Sequence, residues 1–173
     1  MLMTILEQGL IYGILALGLL ITYRILDFPD LTVDSSFPLG AAVSAILTVN
    51  GVNPGLTLLA AIAAGAGAGL ITGLIHVKCK VRDLLSGIIT MTALYSVNLR
   101  IAGKANVPLF AYDTLFKNDF TKAQPEWIAP YATLILILLI ALVSKLLLDL
   151  FLKTKAGYLL RAAGDNAAVV TTL

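Results

Sequence analysis

Charged side chains are scarce in this 173-residue chain: Asp, Glu, Lys and Arg together make up 13% of it, whereas soluble domains carry about 25%. That shortage excludes an ordinary aqueous surface. Histidine and cysteine occur once each. A lone Cys79 forms no internal disulfide, so nothing implies an oxidising compartment. A lone His76 leaves a His-rich zinc site short of ligands. Twelve Lys and Arg against ten Asp and Glu give a net charge of +2, too small a footprint for nucleic acid. What is abundant is hydrocarbon. Hydrophobic residues reach 59% and the mean hydropathy is +0.95, so the chain reads as an all-α, polytopic membrane protein. At roughly 20 apolar residues per crossing, its length has room for about five membrane segments.

The first apolar run, Ile5 to Tyr23, has no basic region before it and is not expected to be a cleaved signal peptide. Its length reaches about 28 Å, enough to span. Glu7 and Gln8 sit at its start and Arg24 closes its far end. A polar insertion follows from Ile25 to Ser36, with Asp27, Pro29, Asp30 and Asp34. If helical, that spacing places the three aspartates on one face, where they would attract a cation or a basic partner. The reading preferred here is a solvated connector. Phe37 to Val49 is apolar but short, which predicts half of a broken helix or a re-entrant segment. Asn50 to Gly55 marks a turn. Leu56 to Val77 and Leu84 to Ala102 read as full spans, with Asp83 placed to cap the second and complement its dipole. Gly103 to Trp127 is a polar loop of mixed charge, and Ala129 to Leu152 is the last span. Lys145 in that span is tolerated because its more than a dozen aliphatic neighbours outweigh it and its amine can snorkel to the interface.

Gly65, Gly69 and Gly73 recur every fourth residue, and Gly9 and Gly13 repeat the device in the first span. Glycines so spaced let helices approach closely in membranes. A nucleotide-binding glycine loop would need a preceding strand and a following acidic residue, and neither is present. The basic residues Lys78, Lys80 and Arg82, and Lys153, Lys155 and Arg161, lie an even number of crossings apart, so both groups are assigned to the cytoplasm. Whether the N-terminus is inside or outside depends on whether Phe37 to Val49 crosses.

No catalytic, cofactor-binding or metal constellation can be assembled. Ser86 lies in no GxSxG elbow, and His76 sits at a helix end rather than deep in a neighbouring span, as an intramembrane serine protease would need. Cys79 between two lysines is read as a surface thiol without a role, and Arg100 as an interfacial anchor. The sharpest signal is terminal: in Lys153 to Leu173, Gly157 and Gly164 bracket a helical YLLRAA and Asp165-Asn166 can cap a further helix. Such a segment lies along the cytoplasmic face and offers Arg161 and small side chains to a soluble partner.

Three stretches carry a family resemblance: GLIYGILALGL at Gly9 to Leu19, the connector ending in PLGAAVSA, and GYLLRAAGDNAAV at Gly157 to Val169. They resemble the permease subunits of bacterial ABC importers, in the superfamily of the branched-chain amino acid and ribose permeases. DFPDLTVDSSFPLGAA looks most like permeases that accompany binding lipoproteins of an uncharacterised or aromatic amino acid type. The resemblance implies a transmembrane region over 1–152, part of a translocation path in the cell inner membrane, and a cytoplasmic coupling segment over 153–173. In that segment Gly157, Arg161, Ala162, Gly164 and Asn166 would engage a separate ABC ATPase subunit. It also implies an extracytoplasmic substrate-binding lipoprotein, a second permease copy in a homo- or heterodimer, contact with membrane lipid, and no cofactor. No GxxxxGK[ST] is present, in keeping with a transport subunit rather than an ATPase. Family members continue with several more spans, so the sequence is expected to be the N-terminal part of a longer permease, or to be completed by another chain. The alternative is a small oligomeric secondary transporter or membrane scaffold using the glycine faces.

Overall fold

The computed structural model describes residues 2–104, 106–109, 112, 114 and 129–165. Six α-helices account for most of them: α1 (Leu2–Leu19), α2 (Val33–Val49), α3 (Pro54–Cys79), α4 (Asp83–Ala102), α5 (Ala129–Leu152) and α6 (Lys155–Asp165). Segments 2–25, 54–79, 83–102 and 131–152 are long and apolar enough to cross a membrane. The chain divides into two compact units, Pro29–Asn118 on one hand and Met1–Phe28 with Asp119–Leu173 on the other. The sequence boundary between residues 152 and 153 falls inside the second of these, between α5 and α6.

Local chemistry sets the helix ends. α1 runs on into a π-helical turn, Leu20–Ile25, which stops where Asp27 takes a left-handed conformation (φ 52°) ahead of Pro29. The three aspartates therefore do not share a helical face: Asp27 lies in the turn, Asp30 accepts a hydrogen bond from the Thr32 amide at 2.8 Å, and Asp34 sits in the first turn of α2. α2 begins four residues before the apolar run does, because Asp34 complements the positive end of the helix dipole. Pro38 lies within it. Asn53 caps α3 by accepting from the Gly55 amide at 2.9 Å, with Pro54 favourably placed at the first helical position. Asp83 does not cap α4: Arg82 holds that position without a side-chain bond, and Asp83 occupies the first turn, where it still complements the dipole.

Unit Pro29–Asn118 has an inverted interior. Its buried described residues include Thr32, Ser35, Thr48, Thr57, Thr72, Ser86 and Thr90 but only Leu39, Ala68 and Leu94 among the hydrophobic ones. Leu59, Ile62 and Leu70 meanwhile stand about 60% exposed. This is how a protein solvated by hydrocarbon is built: small polar side chains join helices and aliphatics face outwards. The hydroxyls of Thr32 and Thr72 lie 2.8 Å apart, tying the start of α2 to α3. Ser35 donates to the Met91 carbonyl at 2.9 Å, and the Asn98 amide donates to the Ser35 carbonyl at 2.9 Å, tying it to α4. The small apolar cluster of Leu39, Ala68 and Leu94, flanked by Val43, Ala64 and Ile101, fills the space between.

Candidate coupling site

The other unit is built from α1 with its π turn, α5 and α6. α5 packs along α1, then stops at Leu152. The Lys153 amide donates to the Leu150 carbonyl at 3.1 Å, and the Thr154 amide to the Phe151 carbonyl at 3.0 Å. Thr154 then caps α6, its hydroxyl accepting from the Gly157 amide at 3.3 Å and its carbonyl from the Tyr158 amide at 3.0 Å. The described part of the terminal segment is therefore one helix, Lys155–Asp165, that contains both Gly157 and Gly164 and the YLLRAA between them.

α6 is amphipathic, and its two glycines lie on the inner side. Gly157 is buried and Leu160, Ala163 and Gly164 are half-buried, while Tyr158, Leu159, Arg161, Ala162 and Asp165 are exposed. Glycine is required at both places by backbone approach. A methyl group on Gly157 would stand 2.5 Å from the Leu152 Cα, 2.5 Å from the Phe151 carbonyl oxygen and 2.6 Å from that of Leu152. One on Gly164 would overlap the Ile25 carbonyl oxygen and lie 3.0 Å from its carbon. Leu20, Arg24 and Ile25 from the end of α1, Leu152 from the end of α5, and Arg161 and Asp165 from α6 line a crevice of about 330 Å³. The C-terminal ends of α1 and α5 thus meet at α6.

Of the five residues assigned to coupling, the structure brings Gly157 and Gly164 together on the packed face and presents Arg161 and Ala162 outwards. Asn166 lies outside the described residues, as does most of the polar loop before α5. Sequence reasoning missed Ile25 and Leu152 as the surfaces the glycines meet, and Gly87, whose added methyl would lie 3.0 Å from the Leu31 amide nitrogen. The Ser-Gly pair at 86 and 87 was a visible signal for a close approach. At Gly9, Gly13, Gly65, Gly69 and Gly73 a methyl group would meet no described atom within 4 Å, so no described helix of this chain occupies those faces. His76 makes a 2.9 Å contact through Nδ1 with the Val81 carbonyl oxygen at the end of α3. Among the described residues no group of three or more His, Cys, Asp or Glu side chains is arranged to hold a metal. What the site offers is an amphipathic helix set backbone to backbone at the ends of two long helices.

Comparison with known proteins decides the family. The model of the branched-chain amino acid transport system / permease component family matches residues 1–173. The chain belongs to this permease family. A tyrosine transport system permease protein of Clostridioides difficile is 45% identical over 170 residues, covering 98% of the chain and 54% of that protein. An uncharacterized protein of Rickettsia prowazekii is 38% identical over 172 residues, covering 99% of the chain and 58% of the relative. The chain therefore spans a little over half the length of these two relatives. No solved structure matches it. Family membership and the four span-length apolar helices make this a multi-pass membrane protein of the permease type.

Proposed function

We propose that the chain is membrane-spanning permease sequence of an ATP-binding-cassette importer, contributing part of the substrate path and docking through α6 to a separate ATPase. The carrying observation is the geometry of α6 in a permease-family chain: a short amphipathic helix whose exposed side carries Arg161 and Ala162, while glycines fix its other side to the membrane helices. The chain supplies no ATPase chemistry of its own. Its 45% identity to a tyrosine permease supports an aromatic amino acid as cargo, delivered by an extracytoplasmic lipoprotein to a permease dimer. Deleting 157–169 from the permease should abolish co-purification with its ATPase; an intact complex after the deletion would refute the docking role.

This reading fixes the membrane topology. α1 and α5 are packed side by side and end together at α6, so they run in the same direction. Between their ends the chain must make an even number of crossings. Among the described helices α3, α4 and α5 make three, and α2 supplies the fourth. Its 17 residues reach about 26 Å, close to the hydrocarbon thickness of about 30 Å. Arg24 then joins Lys78, Lys80, Arg82 and the basic tail at the cytoplasmic side, as the positive-inside rule requires, and the beginning of α1 faces outwards. In intact cells, a membrane-impermeant maleimide should label a cysteine at Thr4 in a Cys79→Ser background. Native Cys79, exposed at the end of α3, should react only after permeabilisation. Accessibility of both thiols from the same side of the membrane would exclude α2 as a crossing.

A further inference from the structure

Two of the contacts that hold α6 are made at glycines, where the helix has no side chain to interpose. Gly157 meets the last residues of α5, Phe151 and Leu152, and Gly164 meets Ile25 and Leu26 beyond α1. The two glycines are seven residues apart, about 10 Å along the helix. A rod held at two separated points cannot shift or swivel without taking both supports with it. Backbone pressed on backbone also leaves no rotamer to absorb a displacement, and close-packed interiors transmit strain.

The second support has a distinctive form. Ile25 is the final residue of the π turn, and the chain leaves that turn through wide bonds: the Leu26 amide donates to the Ile21 carbonyl and the Phe28 amide to the Thr22 carbonyl, each at 2.9 Å. π turns inside α-helices occur frequently at functional sites. Here the turn separates the regular part of α1 from the residue on which α6 rests, so it lies where a load from α6 would enter the membrane helix.

We infer that Gly164 and Ile25 are positioning residues that carry the displacement of α6 directly into α1, so that the π-helical end of α1 and the docking helix travel as one body through the transport cycle. This rests on the importer reading above and adds the path of the stroke: α1 is driven through Gly164, in parallel with α5, which is driven through Gly157.

The test uses the full-length permease reconstituted with its ATPase and binding lipoprotein in proteoliposomes, with labelled tyrosine as the transport probe. In a Cys79→Ser background, Arg24→Cys and Asp165→Cys place two thiols on the same crevice, to be joined by a short bifunctional maleimide. If the two elements move together, the cross-linked transporter should retain at least half the ATP-driven uptake of the same protein before cross-linking. Loss of uptake with ATP hydrolysis continuing would show that they must separate, and would overturn the inference. Separately, Gly164→Ala should lower the tyrosine taken up per ATP hydrolysed at least tenfold while hydrolysis persists; an unchanged ratio would also overturn it. Because the cross-linking arm keeps Gly164, it stands even if Gly164→Ala fails to assemble. Absence of ATP-driven uptake by the unmodified complex would refute the importer reading and this inference with it, an outcome distinct from failure confined to the altered proteins.

Discussion

Gly157→Ala is expected to weaken ATPase binding by roughly 5- to 150-fold. The added methyl would come within 2.6 Å of three backbone atoms of Phe151 and Leu152, and backbone cannot swing aside as a flexible side chain does. The turn between α5 and α6 must open instead. Overpacking of this kind costs about 1–3 kcal/mol, and each 1.4 kcal/mol is about tenfold in an equilibrium constant. Titrating the ATPase onto nanodisc-embedded permease measures the effect. Gly67→Ala is the control, since its methyl would meet no described atom within 4 Å. Binding as tight as in the unaltered protein would mean that α6 docks whether or not it is folded against α5.

Gly87→Ala should act on stability rather than docking. Here the obstruction is the Leu31 amide nitrogen at 3.0 Å, with Asp30 Oδ1 and Leu31 Cβ at 3.6 Å. α4 would be pushed away from the connector that leads into α2. The same overpacking range of about 1–3 kcal/mol, at about 2–4 °C per kcal/mol for a chain of this size, lowers the unfolding midpoint by roughly 2–12 °C. A thermal melt in detergent, followed by helical circular dichroism, reads it. Gly40→Ala provides the contrast: the nearest atoms to its methyl are on Ala61 at 3.7 and 3.8 Å, ordinary contact distances, and its midpoint should change little. Equal shifts for the two variants would show that the connector is free to yield.

Hydropathy made four span-length helices legible because each carries an apolar run near bilayer length between polar breaks. It misplaced the start of α2, since the first turn of that helix is polar and is held by Asp34 and by the Ser35 link to α4 rather than by apolar burial. The π turn at Leu20–Ile25 was invisible, because LITYRI is as apolar in one helical pitch as in another. At the candidate site the glycine pattern in 157–164 could be read, but its reason could not: a close approach is a relation between two distant segments, and Ile25 carries no mark of it. Gly65, Gly69 and Gly73 present the converse case, a pattern plain in sequence for which the described residues provide no partner.

The hydroxyl-lined interior of Pro29–Asn118 has a consequence for motion. Thr48, Ser86 and Thr90 donate to carbonyls of their own helices, those of Ser44, Asp83 and Ser86, and Thr57 donates to that of Pro54 at the start of α3. Such groups are satisfied wherever the neighbouring helix stands, so sliding past them breaks no hydrogen bond. Links across helices gather instead around Thr32 and Ser35, at the first turn of α2. That arrangement pins α2 by hydrogen bonds at its N-terminal turn and leaves its further length to the apolar packing around Leu39 and Val43.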